Sequence, residues 1–274
     1  MPTISVLMPA HNASKFISES IISIIEQTYT DFEFLIIDDG STDNTWDILT
    51  NFAKCDKRIK IYRNPKRLGI VKTRNKLFSL VNSDSEYFAI FDADDISLPA
   101  RLKIQLSYLR QNPKIGAIGS NIFIIDETGR AICMRKYPQS YHEIKKTILH
   151  RSPCCQPAVM IRKSVFAKVG GYRNGNFDRG NDYDLWLRIA AQSEIQNLPE
   201  ILLKYRIQSL SVRSKYVKET LKSTLLIQSR WLFKKEYFRL SNFLHFGILC
   251  GLLIVPSGLI LRLFYKLRFS KCKN

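Results

Sequence analysis

"YFAIFDADDISLP", residues 87–99, is the stretch on which the reading of this chain turns. It opens on a short uncharged run, Tyr87 to Phe91, of the kind that forms a strand buried on both faces. Three carboxylates follow at once: Asp92, Asp94 and Asp95. Acids this close repel one another and raise each other's pKa unless a positive group sits among them. The carboxyl end of a buried strand is also where open α/β sheets collect their ligands. A plainer reading makes these acids a solvated turn, with Asp95 or Ser97 capping a helix that begins near Pro99. On this stretch alone the two readings weigh equally.

Working outward, strand and helix patterns alternate up to about residue 120. Strands are expected at Ile4 to Met8, Phe32 to Ile37, Ile59 to Tyr62 and Tyr87 to Phe91. Helices are expected at about Lys15 to Gln27, Asn44 to Ala53, Ile70 to Val81 and Arg101 to Gln111. Repeated strand–helix units of this kind build a mainly parallel sheet with helices on both faces. Further strands read at Ile115 to Ile125 and Val159 to Arg162, and a helix at Asp182 to Gln192.

A second acidic pair ends another strand, in "FEFLIIDDGSTDNTW" at 32–46. Asp38 and Asp39 lead into a Gly-Ser turn, and Thr42 or Asp43 can cap the helix beyond it. In a parallel sheet these strand ends share one edge, so five carboxylates can converge there. Such a cluster needs a divalent cation, and its oxygen ligands suit Mg²⁺ or Mn²⁺. A metal held by one or two carboxylates takes its other ligands from water and substrate phosphates, which points to a nucleotide diphosphate.

The residues now on the page resemble family 2 glycosyltransferases of the GT-A fold, the group that builds bacterial surface polysaccharides. The resemblance rests on "SVLMPAHN" (5–12), "FEFLIIDDGSTDNT" (32–45), "FDADDISLPARL" (91–102), "CQPAVMIRKSVFAKVGGYR" (155–173) and "NDYDLWLRIA" (181–190), in the family's order. It implies inverting transfer of a sugar from a nucleotide-diphosphate donor, UDP being the usual nucleotide. Asp39 would bond the nucleobase, with Pro9, His11 and Asn12 lining the same pocket. The family often has Tyr or Phe where His11 stands. Asp92 and Asp94 match its D-x-D pattern, with Asp94 a metal ligand and Asp92 or Asp95 on the ribose or the metal. Asp182 matches the base that takes the acceptor hydroxyl's proton. The family usually has Glu before it, where this chain has Asn181, and Asp184 is the alternative base. Arg74 and Arg206 are candidates for phosphate contacts.

The charge of the chain is uneven. Of a formal +18, residues 201–274 carry +13, with 15 Lys or Arg against Glu219 and Glu236. A basic excess confined to the last quarter argues against nucleic acid as a partner of the body and for an anionic surface near the C-terminus. Residues 213–239 read as a basic amphipathic helical stretch. Then "LSNFLHFGILCGLLIVPSGLIL" (240–261) runs without Asp, Glu, Lys or Arg. As one helix it would reach about 33 Å, enough to cross a bilayer. Pro256 and three glycines interrupt it, and basic clusters flank both ends. A re-entrant or in-plane anchor satisfies these features better than a plain span; a hairpin buried in the body is the plainer alternative.

The expected organisation is therefore a transferase domain over 1–210, with a nucleotide-sugar half (1–115) and an acceptor half (116–210). A basic helical segment (211–239) and a membrane anchor with a basic tail (240–274) follow. The acceptor would be a lipid-linked saccharide at the cytoplasmic face of a bacterial inner membrane. No signal peptide is evident, and six cysteines without a C-x-x-C pair read as reduced thiols. Nucleotidyl transfer would need a Gly-rich basic loop that "PAHNASKF" lacks, and no G-x-G-x-x-G follows the first strand. A scaffold with a decayed site would have lost one of Asp39, Asp94 or Asp182, and all three are present.

Overall fold

The computed structural model describes residues 2–173, 179–207 and 216–260. Its frame is a nine-stranded sheet. Strands β1 (Ile4–Ala10), β2 (Phe32–Asp38), β3 (Ile59–Arg63) and β4 (Tyr87–Ile90) lie in the order β3-β2-β1-β4, all parallel. Helices α1 (Ile17–Ile25), α2 (Thr45–Cys55) and α3 (Ile70–Ser79) link them, and α4 (Arg101–Gln111) follows β4. All three strand–helix links run in the sense a parallel sheet requires, so β1, β2 and β4 open their carboxyl ends onto one edge.

Beyond β4 the direction alternates. β8 (Met160–Arg162) is antiparallel to β4 and to β6 (Ile115–Ile125), and β9 (Glu194–Arg206) runs parallel to β6. The short β5 (Ile96–Ser97) pairs with β9, and β7 (Ala131–Arg135) with β6, both antiparallel. One sheet thus joins 1–115 to 116–210. α5 (Tyr141–Thr147), α6 (Lys163–Val169) and α7 (Asn181–Ala190) cover one face, and α8 (Val217–Leu232) and α9 (Leu240–Leu252) complete the described chain.

Side-chain alternation explains the layering. Ile4, Val6 and Met8 of β1 join one core with Ile17, Ile21 and Ile24 of α1, whose spacing keeps them on one helical face. Leu7, with Leu35, Ile37, Phe88 and Ile90, faces the opposite core against Leu77, Trp186 and Ile189. Each such buried side chain contributes about 1.5–3 kcal/mol.

Several expectations need correction. β9 was not foreseen: its burial is irregular, it contains Pro199, and its register against β6 shifts twice near Asn121. The capping of α4 by Asp95 or Ser97 does not occur, since its N-cap is Ala100 with no side-chain bond. The span 240–261 is not one helix, because α9 ends at Leu252, ahead of Pro256. No helix among the described residues is long and apolar enough to cross a membrane. Among the described residues no hairpin buried in the body is formed either: α9 buries only Asn242. The boundary expected at 210 and the basic tail beyond 260 lie outside the described residues.

Candidate active site

At the end of β2 the acids are held by the protein itself. Asp38 is fully buried, accepts the Ser41 N–H at 3.0 Å and pairs with Arg63 at 3.1 Å. Asp39 Oδ1 accepts the Leu68 N–H and the Asn64 amide, both at 2.8 Å, and its Oδ2 accepts the Gly69 N–H at 2.9 Å. Burial pushes the Asp39 carboxyl up, but these donors outweigh it and hold the group below the usual carboxylate range. Gly40 makes the turn possible. It has φ +69°, and a Cβ there would lie 2.7 Å from the Arg67 backbone nitrogen.

The first loop closes over the same turn. His11 Nδ1 lies 3.0 Å from the Asp39 carbonyl, which only accepts, so Nδ1 carries the proton. Asn12, left-handed at φ 48°, donates its N–H to Ser41 Oγ and accepts the Thr42 N–H. Pro9 does not line this loop as expected. It is buried within β1, in register with Ile37.

At the end of β4 the acids meet buried cations. Asp92 Oδ1 accepts from Arg74 Nη2 at 2.9 Å, and Arg74 Nη1 donates to Asn181 Oδ1 at 3.2 Å. Arg74 is almost fully buried rather than exposed on its helix, with its guanidinium 5.6 Å from the Tyr172 ring centre. Asp95 is completely buried. Its Oδ1 accepts the Arg206 N–H at 2.8 Å, while Oδ2 has no hydrogen-bond partner. Burial, then repulsion from Asp94 and Asp92, push the Asp95 carboxyl well up. Beneath it lies Arg101, also completely buried, which donates to the Ile90 carbonyl and to Gln105. Burial pulls Arg101 down to about 10, against the attraction of Asp95.

Arg206 is placed differently from its expected contact with a diphosphate. Its guanidinium donates to the carbonyls of Asp94, Asp126 and Glu127 and to the Glu19 carboxylate, packed over Phe16. Those bonds brace the acidic turn from behind, and a phosphate would have to displace them.

The five-carboxylate convergence does not form. Asp38 and Asp39 are bound into their own turn, and the described residues contain no group of three His, Cys, Asp or Glu able to hold a metal. Asp92 and Asp94 remain as half-buried oxygen donors one residue apart. This fits a hard cation held by one or two carboxylates with its remaining ligands supplied by phosphate and water. Behind them the Oδ2 of Asp95 is buried without a hydrogen-bond partner.

The third component is the head of α7. Asp182 is half-buried in its first turn. Burial raises its pKa, Arg74 and the N–H groups of Tyr183 and Asp182 oppose this, and Asp92 adds to it. A carboxyl shifted upward is a better proton acceptor at the same ionisation state. Asp184, the alternative base, is buried and paired with Arg188 at 2.8 Å and Arg173 at 3.2 Å. It has no face left for an acceptor.

Arg74 thus links Asp92, Asn181 and, by its charge, Asp182 in one site. Sequence reasoning missed Arg101 and Asn64, whose roles depend on burial that their helical and turn contexts did not signal. It also missed Tyr172, whose hydroxyl accepts from buried Gln156 at 2.6 Å beside Arg74.

Comparison with known proteins gives the family and the fold. The family model for "Glycosyl transferase family 2" matches residues 5–170. An uncharacterized glycosyltransferase of Haemophilus influenzae is 34% identical over 223 residues, 78% of this chain and 68% of the relative. The O-antigen biosynthesis glycosyltransferase WbnJ of Escherichia coli is 36% identical over 217 residues, covering 77% and 82%. Among solved structures, S. aureus TarS with UDP-GlcNAc superposes with TM-score 0.65 at 18% identity, over 86% of this chain and 68% of that one. The mannosyltransferase PcManGT of Pyrobaculum calidifontis, in complex with GDP-Man and Mn²⁺, gives 0.65 at 16% identity, over 97% and 80%. At that identity the two structures speak for the fold.

Proposed function

Because the chain belongs to glycosyl transferase family 2, we propose that it moves a sugar, with inversion, from a nucleotide-diphosphate donor to a lipid-linked saccharide. UDP is the proposed nucleotide, and surface polysaccharide synthesis at the cytoplasmic face of a bacterial inner membrane the proposed setting. The observation that carries this reading is the Arg74 bridge, 2.9 Å to Asp92 and 3.2 Å to Asn181. It ties the acidic end of β4, on the donor side, to the helix that bears the base.

Each residue then has a task. Asp39, fixed by Leu68, Gly69 and Asn64, keeps lone-pair capacity on Oδ2 for a nucleobase N–H. His11 and Asn12 shape the wall of that pocket. Asp92 and Asp94 would hold Mg²⁺ or Mn²⁺, which stabilises charge on a departing diphosphate. Asp182 accepts the proton of the acceptor hydroxyl as that oxygen attacks the anomeric carbon. Arg74 keeps Asp182 ionised and restrains Asp92. Relatives support the components: WbnJ is named for O-antigen biosynthesis, and TarS and PcManGT bind nucleotide sugars.

The test is transfer from radiolabelled UDP-sugars into lipid extract, with Mn²⁺ or with chelator. Metal-dependent appearance of label in the lipid fraction is the expected result. Folded protein that binds a donor yet never transfers its sugar would replace this reading with a sugar-binding subunit.

A further inference from the structure

The strongest surface feature outside the site is the outer side of α9. This helix contains no charged residue and buries only Asn242. Leu240, Leu244 and Ile248 repeat every four residues and are 75%, 61% and 63% exposed. That spacing aligns them in one stripe. Phe233 and Phe238, just before the helix, are also exposed and pack edge-on against Phe243 with centroids 5.6 and 5.2 Å apart. The inner side is fastened: Phe243 and Phe246 pack on the core, Asn242 donates to the Tyr237 carbonyl, and Lys218 to that of Leu253. An apolar stripe held outward by its own inner contacts marks an interaction surface.

We infer that α9 is a foot that lies in the plane of an anionic lipid bilayer, with Leu240, Leu244, Ile248, Phe233 and Phe238 in its interfacial layer. This rests on the membrane setting proposed above and assigns the surface that meets it. The helix has 13 residues, about 20 Å, too short for a hydrocarbon core of about 30 Å. Lys234, Lys235 and Arg239 are exposed beside the stripe, the neighbouring Glu236 is paired with Lys145 at 3.7 Å, and no acid follows Glu236 in the sequence. A cationic rim around an apolar stripe complements acidic headgroups over acyl chains. A second copy seated on the same face would bring these rims together as like charges.

The foot is also joined to the catalytic helix. α8 packs Ile227 against Gly180, where a Cβ would sit 3.4 Å from the Ile227 Cδ1, and Gln228 donates to the Leu149 carbonyl. Gly180 takes φ +87° and directly precedes Asn181 and Asp182. One helix therefore separates the bilayer from the base, which sets the site at a fixed height for an acceptor carried on lipid.

The test is co-sedimentation of the full chain with vesicles of phosphatidylglycerol and of phosphatidylcholine. The wild type should bind the anionic vesicles, and Leu244→Glu with Ile248→Glu should weaken partitioning about a hundredfold. Ile132→Glu, the same change on exposed β7, should not. UDP titration of the double variant should match the wild type, which separates loss of the foot from loss of the transferase site. Equal binding by wild type and double variant overturns the foot while leaving the membrane setting. No binding by the wild type overturns both. A wild-type dimer in light scattering that the double variant splits, without vesicle binding, assigns the stripe to a second copy.

Discussion

The ends of β2 and β4 carry the same signature, clustered aspartates after an apolar run, and the fold treats them in opposite ways. At β2 the acids are answered locally: Asp39 by three donors, and Asp38 by the Ser41 N–H and an ion pair with Arg63, although its Oδ2 makes no hydrogen bond. At β4 the answer is incomplete. Arg74 meets Asp92 from one side and Arg101 lies under the turn, but Asp95 Oδ2 has no hydrogen-bond partner and, unlike Asp38 Oδ2, no ion pair among the described residues. The lesson is electrostatic. A carboxylate satisfied by backbone N–H groups is a fixed piece of architecture, whereas the half-buried Asp92 and Asp94 are, in the proposed reading, the acids that would hold a cation. On that proposal one strand end holds a shape and the other holds a cation.

The largest effect tests what both ends serve. Asp182→Asn should cut transfer about a thousandfold, within the range of a lost general base, while calorimetry finds donor binding intact. Equal loss of binding and transfer would make Asp182 part of the donor pocket and remove the base from α7. Arg74 gives the next test, because it joins the β4 end to α7. It lowers the pKa of Asp182 against burial, and transfer needs Asp182 deprotonated. The acid limb of the kcat/KM profile should therefore lie above the ordinary carboxylate range and move to higher pH in Arg74→Ala. An unmoved limb would mean that the two regions are not coupled through this charge.

The smallest effect separates the strand ends by stability. Asp39→Asn removes an ionised acceptor from three donors and should cost about 1–3 kcal/mol, read as a lower Tm. Asp95→Asn keeps an acceptor for the Arg206 N–H and removes a carboxyl that burial already pushes well up, so it should lower Tm in metal-free buffer less than Asp39→Asn does. A larger loss at Asp95 would invert the contrast. The pH dependence follows: Asp39 has a lowered folded pKa, so its contribution is full above the unfolded value and is lost as pH falls through the folded one. Urea titrations of wild type and Asp39→Asn should therefore converge in acid.

The parallel half of the sheet was legible because β1, β2 and β4 are apolar runs closed by recognisable turns. The acidic positions were legible for the same reason: they stand at strand ends. β9 was not, since a strand with Pro199 and mixed polarity is specified by β6 beside it rather than by its own pattern. Nor were the cations. Arg74, Arg101 and Arg206 look alike in sequence, as charges on a helix or beside a strand, and only packing shows that all three are buried around one acidic turn. Sequence likewise offered Arg206 only as a candidate phosphate contact and gave no sign that its donors brace Asp94 and the loop at Asp126.

The most direct measurement is calorimetric titration of UDP into wild type, Asp94→Asn and Asp39→Asn, each with Mn²⁺ and with chelator. The division of labour between the strand ends predicts that Asp94→Asn no longer distinguishes Mn²⁺ from chelator. Asp39→Asn should bind more weakly in both conditions yet keep the metal dependence of the wild type. Metal dependence that survives in Asp94→Asn and vanishes in Asp39→Asn would contradict it.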